Sequence, residues 1–448
     1  MASELMDKRA LAHSGRPRME FGNLCGWEDL LGSQQNNASF KAQRKHIFQQ
    51  IGTKNSVSRF WPLQERVVGR FLWRANRDNG KDLHQHIQTE AAELILKATY
   101  GYTTESHKAD PLVDLIDQVM EEFAQAFVSG KWAVDLLPTL KYVPKWLPGT
   151  GWKRIAKSWR RNLVEAIEIP FEYARLHQNN NNDLSFVSKA LAQHSEERGG
   201  LSENDSNMMK WAAASLYTGG ADTTVSTMQA FFLAMAMHPN VQAKAHGELD
   251  ALLGPVPTRL PTFSDRAQLP YLSLIVEEAQ RWHPVAPMGL PHCSVKDDTI
   301  GGYLIPEGAV LMPALWWFTR DPEYYHDPET FKPERFEEPY NEPPATQVTF
   351  GFGRRKCPGY VFADASLFLI MAQALAVFDI KPGVDEEGKE VQLTHGFQSG
   401  VIGKPTPFRV RLLPRSEAHE GLIMRNAEEG DWEESGADSI RQMMAERV

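Results

Sequence analysis

The stretch FGFGRRKCPGYVF places a single thiol, Cys357, in a setting that invites chemistry. Glycines flank it at Gly351, Gly353 and Gly359. The cations Arg354, Arg355 and Lys356 precede it, and Pro358 and a long apolar run follow. Proline favours the first helical position because its missing N–H has no partner there anyway. The pattern therefore predicts a helix starting near Pro358 with Cys357 at its N-cap. The amides of Gly359 and Tyr360 then point back at the sulfur. Helix-start amides and nearby cations stabilise a thiolate, and the glycines let backbone pass close to something flat and bulky. Such a thiolate serves as a nucleophile or as a metal ligand; the plain alternative is a structural cysteine buried at a helix start. A nucleophile needs a histidine base, and none lies close in sequence.

Two further groupings could do chemistry. Glu278 and Arg281 lie three residues apart on one helical pattern, opposite the apolar stripe Leu272, Ile275, Val276 and Ala279. Taken alone this is an exposed ion pair, worth a few tenths of a kcal/mol. TGGADTT, Thr218 to Thr224, puts two glycines inside a long helix, where each costs about 1 kcal/mol. Something must offset that cost, either a notch for a crossing helix or a ligand.

The elements that must position these residues are mostly helices. The apolar period predicts helices over SFKAQRKHIFQQIG, LVDLIDQVMEEFAQAF, IAKSWRRNLVEAIEIPFEYARLHQ and PYLSLIVEEAQRWHP. A very long helix is expected from about Asp205 to His238, stopped by Pro239. DTIGGYLIPEGAVLMPAL reads as short strands around a Gly-Gly turn, VQLTHGFQSGVIGKPTPFRVRLL as a terminal hairpin, and NNNND as a loop. The expected fold class is mainly α with a small β portion.

The chain has 448 residues, 42% of them hydrophobic, ample for one large core. The formal net charge of −9 argues against nucleic acid as a partner. Cys25, Cys293 and Cys357 are far apart with no C-x-x-C pair, which speaks against a structural zinc site and suits a reducing compartment. No apolar run of about 18 residues appears, so no membrane span is expected. Residues 415–448 are acidic and lack a steady apolar period; they are expected to form a disordered tail, with one short helix at its end, after a domain covering 1–414.

F-x-x-G-x-R-x-C-x-G is satisfied by Phe350, Gly353, Arg355, Cys357 and Gly359. This resembles the haem-binding loop of the cytochrome P450 monooxygenases. The resemblance implies that Cys357 thiolate is the axial ligand of haem b iron, that Phe350 packs beside the ligand loop, and that Arg355 pairs with a propionate. It makes Glu278, Arg281 and Arg335 of FKPERF a structural triad. It makes Gly219, Gly220, Ala221, Asp222, Thr223 and Thr224 a widened turn with room for dioxygen and water, where Asp222 and Thr223 relay protons. SFKAQRK is similar to the family's W-x-x-x-R helix, with Arg44 as a second propionate partner and Phe40 in place of the usual tryptophan. His292 falls where the family often has another propionate-binding arginine or histidine.

The resemblance runs from Arg16 to about Leu413 and implies a cytochrome P450 fold, N-terminally shortened. KYVPKWLPGTGWKR is similar to the fungal microsomal branch. The implied activity is insertion of one oxygen atom into a hydrophobic small molecule of fungal secondary metabolism. Electrons come from NADPH through a reductase docked on the basic face near Arg354 and Lys356. Substrate walls are expected around Phe21 to Trp27, Leu216, Tyr217, Val285 to Leu290 and Ser399 to Ile402. The implied location is the cytosolic face of the endoplasmic reticulum membrane, with peripheral contact through Trp146 and Leu147. Two rivals remain: a reductase-independent haem-thiolate isomerase or dehydratase, favoured less because GADTT is intact, and an inactive or haem-sensing chain.

Overall fold

In the computed structural model of the chain, residues 1–447 are described apart from 106–107, 129, 178–184, 199–201 and 430–432. The NNNND loop lies outside the described residues. The long helices are α1 (Ala38–Ile51), α2 (Trp61–Arg77), α3 (Leu83–Tyr100), α4 (Pro111–Ala126), α5 (Gly151–His177), α6 (Phe186–Arg198), α7 (Glu203–Met237), α8 (Pro239–Leu253), α9 (Pro270–Trp282), α10 (Tyr360–Val377), α11 (Glu417–Glu429) and α12 (Ala437–Ala445). The strands are β1 (His292–Cys293), β2 (Asp298–Ile300), β3 (Tyr303–Ile305), β4 (Val310–Leu311), β5 (Phe378–Pro382) and β6 (Val410–Pro414).

Local chemistry sets the helix boundaries. Asn37 caps α1 by accepting from the Phe40 amide at 2.8 Å, and Asp110 caps α4 just ahead of Pro111. Ser202 caps α7 through the Asp205 amide at 3.2 Å, and the helix runs 35 residues before stopping ahead of Pro239. It packs against α3 on one side and against α1, α9 and α10 on others, so it is the axis of the core. α10 is apolar all round, as a helix enclosed by protein must be. It has the length and apolarity to cross a membrane, yet most of it is buried inside the molecule.

Among the described residues the strands form three antiparallel pairs, β1 with β4, β2 with β3 and β5 with β6. Ile300 pairs with Tyr303 across Gly301 and Gly302, both at positive φ, which is the expected two-residue turn. The terminal hairpin is different. β6 pairs back on β5, from Phe378 opposite Pro414 to Pro382 opposite Val410. Within the segment itself only single bridges form, Val384 with Glu390 and Phe397 with Pro405. Pro405 and Pro407 remove the amides a regular ladder would need.

The C-terminal segment has the short helix expected at its end but otherwise departs from expectation. α11 and α12 are ordered helices whose Leu422, Ile423, Ala437 and Ile440 are buried. α11 lies on α2, and α12 on α4 and α5. Glu433 between them pairs with Arg66 at 2.7 Å and with Lys97. Its few apolar residues are too sparse to show a period in sequence, but they fall on one face of each short helix.

Candidate active site

The cysteine loop is built by backbone. The Cys357 amide donates to the Phe350 carbonyl at 2.8 Å, closing the loop on itself. Gly351 and Gly353 adopt positive φ. At Gly353 a Cβ would also strike the Met6 carbonyl, so glycine is required there twice over. Its amide donates to Asp7 Oδ1 at 2.5 Å, and Phe352 joins Leu5, Met6 and Leu315 in a small apolar cluster. Phe350 packs edge-on against Tyr360 at 4.7 Å.

α10 starts at Tyr360 with Gly359 as its cap, two residues later than the sequence suggests. The amides of Gly359 and Tyr360 still reach the Cys357 sulfur. Part of the thiol surface is open, but surrounding chain desolvates it and pushes it up; the Gly359 amide, the Arg44 guanidinium and the Tyr360 amide pull it down. Burial wins, contrary to the expected self-activated thiolate. A thiol kept protonated by its surroundings is a poor free nucleophile, whereas a bound metal ion deprotonates a ligating thiol outright. The surroundings therefore suit a metal ligand better.

Cations gather close to the loop. Arg355 donates to the carbonyls of Ser14 at 2.8 Å and Gln34 at 2.6 Å, and its guanidinium lies 4.1 Å from the Phe40 ring centre. Arg16 donates to Gly32, Leu290 and Pro291 carbonyls at 2.8, 2.9 and 2.6 Å. Arg44 donates to the Lys356 carbonyl. Burial, and then Arg355, push Arg16 down to about 9; burial, and then Arg44, push Arg355 down to about 10. His292 donates from Nδ1 to the His13 carbonyl at 2.8 Å, which leaves Nε2 free to accept. Burial, then Arg16, lower it to about 4, so it is neutral near pH 7.

Among the described residues none of Arg16, Arg44 and Arg355 pairs with a carboxylate, so the site carries excess buried positive charge. It fits a ligand with two carboxylates, as haem b has in its propionates. Arg16 had no role assigned from the sequence; the only signal was an arginine in a Gly-Arg-Pro loop, with nothing local to say it would turn inward.

The middle of α7 is the part of that helix's core run that opens outward. Gly219 is exposed and Thr223 half-buried, while residues 225–236 are buried. The helix continues without a break through the glycine pair, so the widened turn expected there is not seen. Instead Thr223 Oγ1 donates to the Gly219 carbonyl at 2.6 Å, a back-bond that loosens a helix locally. Asp222 is held by Lys404, Nζ to Oδ1 at 2.7 Å. Lys404 lies on the terminal loop, whose Gly403 carbonyl accepts from Ser226 at 2.7 Å and from His283 Nε2 at 2.6 Å. Nothing local in the sequence marks Lys404.

Of the expected pocket walls, Trp27 and Tyr217 line a small apolar cavity with Tyr100, Ile116, Val119 and Leu163. Phe21 does not: its ring stacks on Trp132 at 3.6 Å and meets Trp159 edge-on at 5.6 Å. Three aromatic residues from distant segments make that stack, so it could not be read locally. The triad is assembled as expected. Arg281 grips Glu278 with two bonds, 2.7 and 2.9 Å, and Arg335 reaches it at 3.1 Å, with all three side chains fully buried. Glu342 is a fourth member, 2.5 Å from Arg335.

Comparison with known proteins agrees with this geometry. The Cytochrome P450 family model matches residues 1–410. The chain is 41% identical over 430 residues to the multifunctional cytochrome P450 monooxygenase af510 of Aspergillus fumigatus, covering 95% of this chain and 80% of that one. It is 41% identical over 448 residues to cytochrome P450 monooxygenase CLM2 of Gibberella zeae, covering 99% and 84%. It is 38% identical over 445 residues to an O-methylsterigmatocystin oxidoreductase of Aspergillus flavus, covering 99% and 82%. The family match implies a haem-thiolate iron cofactor. The chain belongs to the cytochrome P450 family and is a monooxygenase similar to those of Aspergillus and Gibberella.

Proposed function

We propose that this chain inserts one atom of dioxygen into a hydrophobic small molecule of fungal secondary metabolism, with Cys357 as the sulfur ligand of haem b iron. The observation that carries this reading is one thiol, met by two helix-start amides, close to a cluster of guanidiniums that lack carboxylate partners. The bound haem supplies oxygen activation, which thiolate ligation favours. The chain supplies position and protons. Arg16, Arg44 and Arg355 hold the propionates, and neutral His292 offers Nε2 beside them. Phe350 walls the loop on one side, and Gly353 and Gly359 keep it free of side chains. The Thr223 hydroxyl holds a proton at the open face of α7, and Asp222 recharges it. Trp27, Tyr100 and Tyr217 present an apolar wall suited to a hydrophobic substrate.

Electrons come from NADPH through a reductase that docks on exposed Arg354 and Lys356. Exposed Leu136, Leu137, Tyr142 and Trp146, with Lys141 and Lys145 among them, support peripheral contact with the cytosolic face of the endoplasmic reticulum. The deciding experiment is the carbon-monoxide difference spectrum of the reduced, purified protein. A red-shifted Soret band is expected, and its absence in protein with full haem content would overturn the thiolate reading.

A further inference from the structure

The apolar cavity beside α7 holds about 20 Å³, a water-sized space. A drug-sized apolar ligand needs roughly 300–1,000 Å³, so the walls must part to admit one. Ile116 and Val119 of α4 and Leu163 and Ile167 of α5 line the cavity together with Tyr217 of α7. α4 and α5 are joined: Glu122 accepts from Asn162 Nδ2 at 2.7 Å. At the other end of the pair, Tyr102 donates to the Asp110 cap of α4 at 2.7 Å and meets Tyr173 of α5 edge-on at 5.2 Å. The two helices are therefore antiparallel, and the chain enters and leaves the pair at the same end, its root.

α12 sits at that root. It packs on both α4 and α5, with Ala437 and Ile440 fully buried. Gly436, its cap, donates from its amide to the Thr103 carbonyl at 2.9 Å. A Cβ there would lie 2.7 Å from the Tyr173 hydroxyl and 2.8 Å from the Tyr102 ring. Arg441 reaches Glu105, just ahead of α4, at 3.7 Å. The lead-in to α12 is anchored to the body. Glu433 pairs with Arg66 of α2 at 2.7 Å and with Lys97 of α3, and it accepts from the Thr103 hydroxyl at 3.1 Å.

A plain account is that α12 only covers apolar surface. Its place argues for more. It bridges the fixed helices α2 and α3 to the end of the α4–α5 pair where the backbone must bend for the walls to part, since hinges lie at the ends of elements. We propose that α12 is a clasp at the root of the α4–α5 pair, and that its grip sets how fast a hydrophobic substrate enters and leaves the cavity. The kind of substrate rests on the monooxygenase reading above. The closed chain, empty or occupied, loses the same grip on opening. Loosening α12 therefore speeds entry and exit alike and leaves affinity almost unchanged.

The test uses the full haem-loaded chain. Gly436 has a φ of −80°, which alanine adopts freely, so Gly436→Ala acts as a wedge against Tyr102 and Tyr173. Ile440→Ala empties a buried site of α12, and Glu433→Gln keeps the shape of the anchor but drops its charge. Val241→Ala, a buried truncation on α8, is the control for general loosening. The probe is 4-phenylimidazole, whose binding to the iron shifts the Soret band and is timed by stopped flow. Hydrogen exchange of the α4 and α5 amides reads opening without haem. Gly436→Ala and Ile440→Ala should raise both probe rates by about tenfold, within the reach of a buried truncation, with the dissociation constant kept within about twofold. Exchange in α4 and α5 should quicken with them. Glu433→Gln should raise both rates by about threefold, the reach of an exposed pair, and should remove the rise with salt that the wild type shows. Val241→Ala should change none of these. Unmoved rates and exchange in the α12 variants, a rise in Val241→Ala as large as theirs, or weaker affinity without faster entry each overturns the proposal. If the two alanine variants of α12 fail to fold, Glu433→Gln and its salt dependence decide alone. A wild-type chain that gives no Soret shift with the probe sinks the haem reading instead, and hydrogen exchange then decides the clasp.

Discussion

Glu278 and Arg335 meet across 57 residues of chain, fully buried, with Arg335 Nε donating to Glu278 Oε1 at 3.1 Å. Arg281 takes both oxygens of the same carboxylate, and Glu342 takes the other end of Arg335. Burial works against the charge on Arg335, but Glu278 and Glu342 outweigh it and hold the guanidinium's pKa raised. The network therefore fastens α9 to the segment leading into the cysteine loop.

Glu278→Ala should act on folding rather than on chemistry. It leaves buried Arg281 with no carboxylate and Arg335 with Glu342 alone, and breaking a buried pair from one side costs about 3–5 kcal/mol. The expected outcome is a much lower yield of soluble, haem-loaded protein and a lower melting temperature. Normal yield and melting would mean that the pair contributes no more than an exposed one.

Cys357→Ala should abolish the red-shifted Soret band of the carbon-monoxide complex, while Cys25→Ala and Cys293→Ala keep it. Cys25 is buried and Cys293 is held on the strand opposite Val310. Neither receives helix-start amides. Loss of the band in either of those two variants, with retention in Cys357→Ala, would reverse the assignment.

Legibility in the sequence followed how local each feature is. α4 and α9 carry an apolar period and a proline in the first turn, and α7 is stopped by Pro239, so their positions could be read. The cysteine loop could be read because its glycines, cations and proline are contiguous. Arg16, Lys404 and Glu342 could not: each acquires its role from a partner far along the chain, respectively Leu290 and Pro291, Asp222, and Arg335. The tail was misread because burial of Leu422, Ile423 and Ile440 comes from α2, α4 and α5, not from any pattern inside it.

A neutral histidine pair sets an acid limit on the terminal loop. His283 Nε2 donates to the Gly403 carbonyl, so its Nδ1 must accept from His395 Nε2, 3.0 Å away. Their rings stack on Phe397 at 4.0 Å and Trp282 at 3.6 Å. Burial lowers His283 to about 4; burial, then His283, lower His395 to about 3. A base with a depressed folded pKa takes up its proton more readily when unfolded, so stability falls as pH drops from about 6.5 toward 4. Melting temperature should decline over that window, and His395→Phe should flatten part of the decline. An equally steep decline in His395→Phe would place the acid sensitivity elsewhere.

Thr223 should govern how much of the oxygen consumed becomes product. Its hydroxyl donates to the Gly219 carbonyl at 2.6 Å and lies on the open part of α7, next to the Asp222 carboxylate that Lys404 holds. Removing the hydroxyl does two separable things. It leaves the Gly219 carbonyl short of a partner, a loss of about 1 kcal/mol, and it removes the last proton carrier before the pocket. Thr223→Ala should therefore keep haem, keep the thiolate spectrum and still consume NADPH with a competent reductase, while product falls and hydrogen peroxide rises. Thr223→Ser retains the hydroxyl and drops only a methyl, so its ratio of product to NADPH should stay close to wild type. If Thr223 merely packs the helix, both variants melt slightly lower and both keep the wild-type ratio. The product-to-NADPH ratio in the alanine variant, compared with that in the serine variant, is the measurement that separates the two.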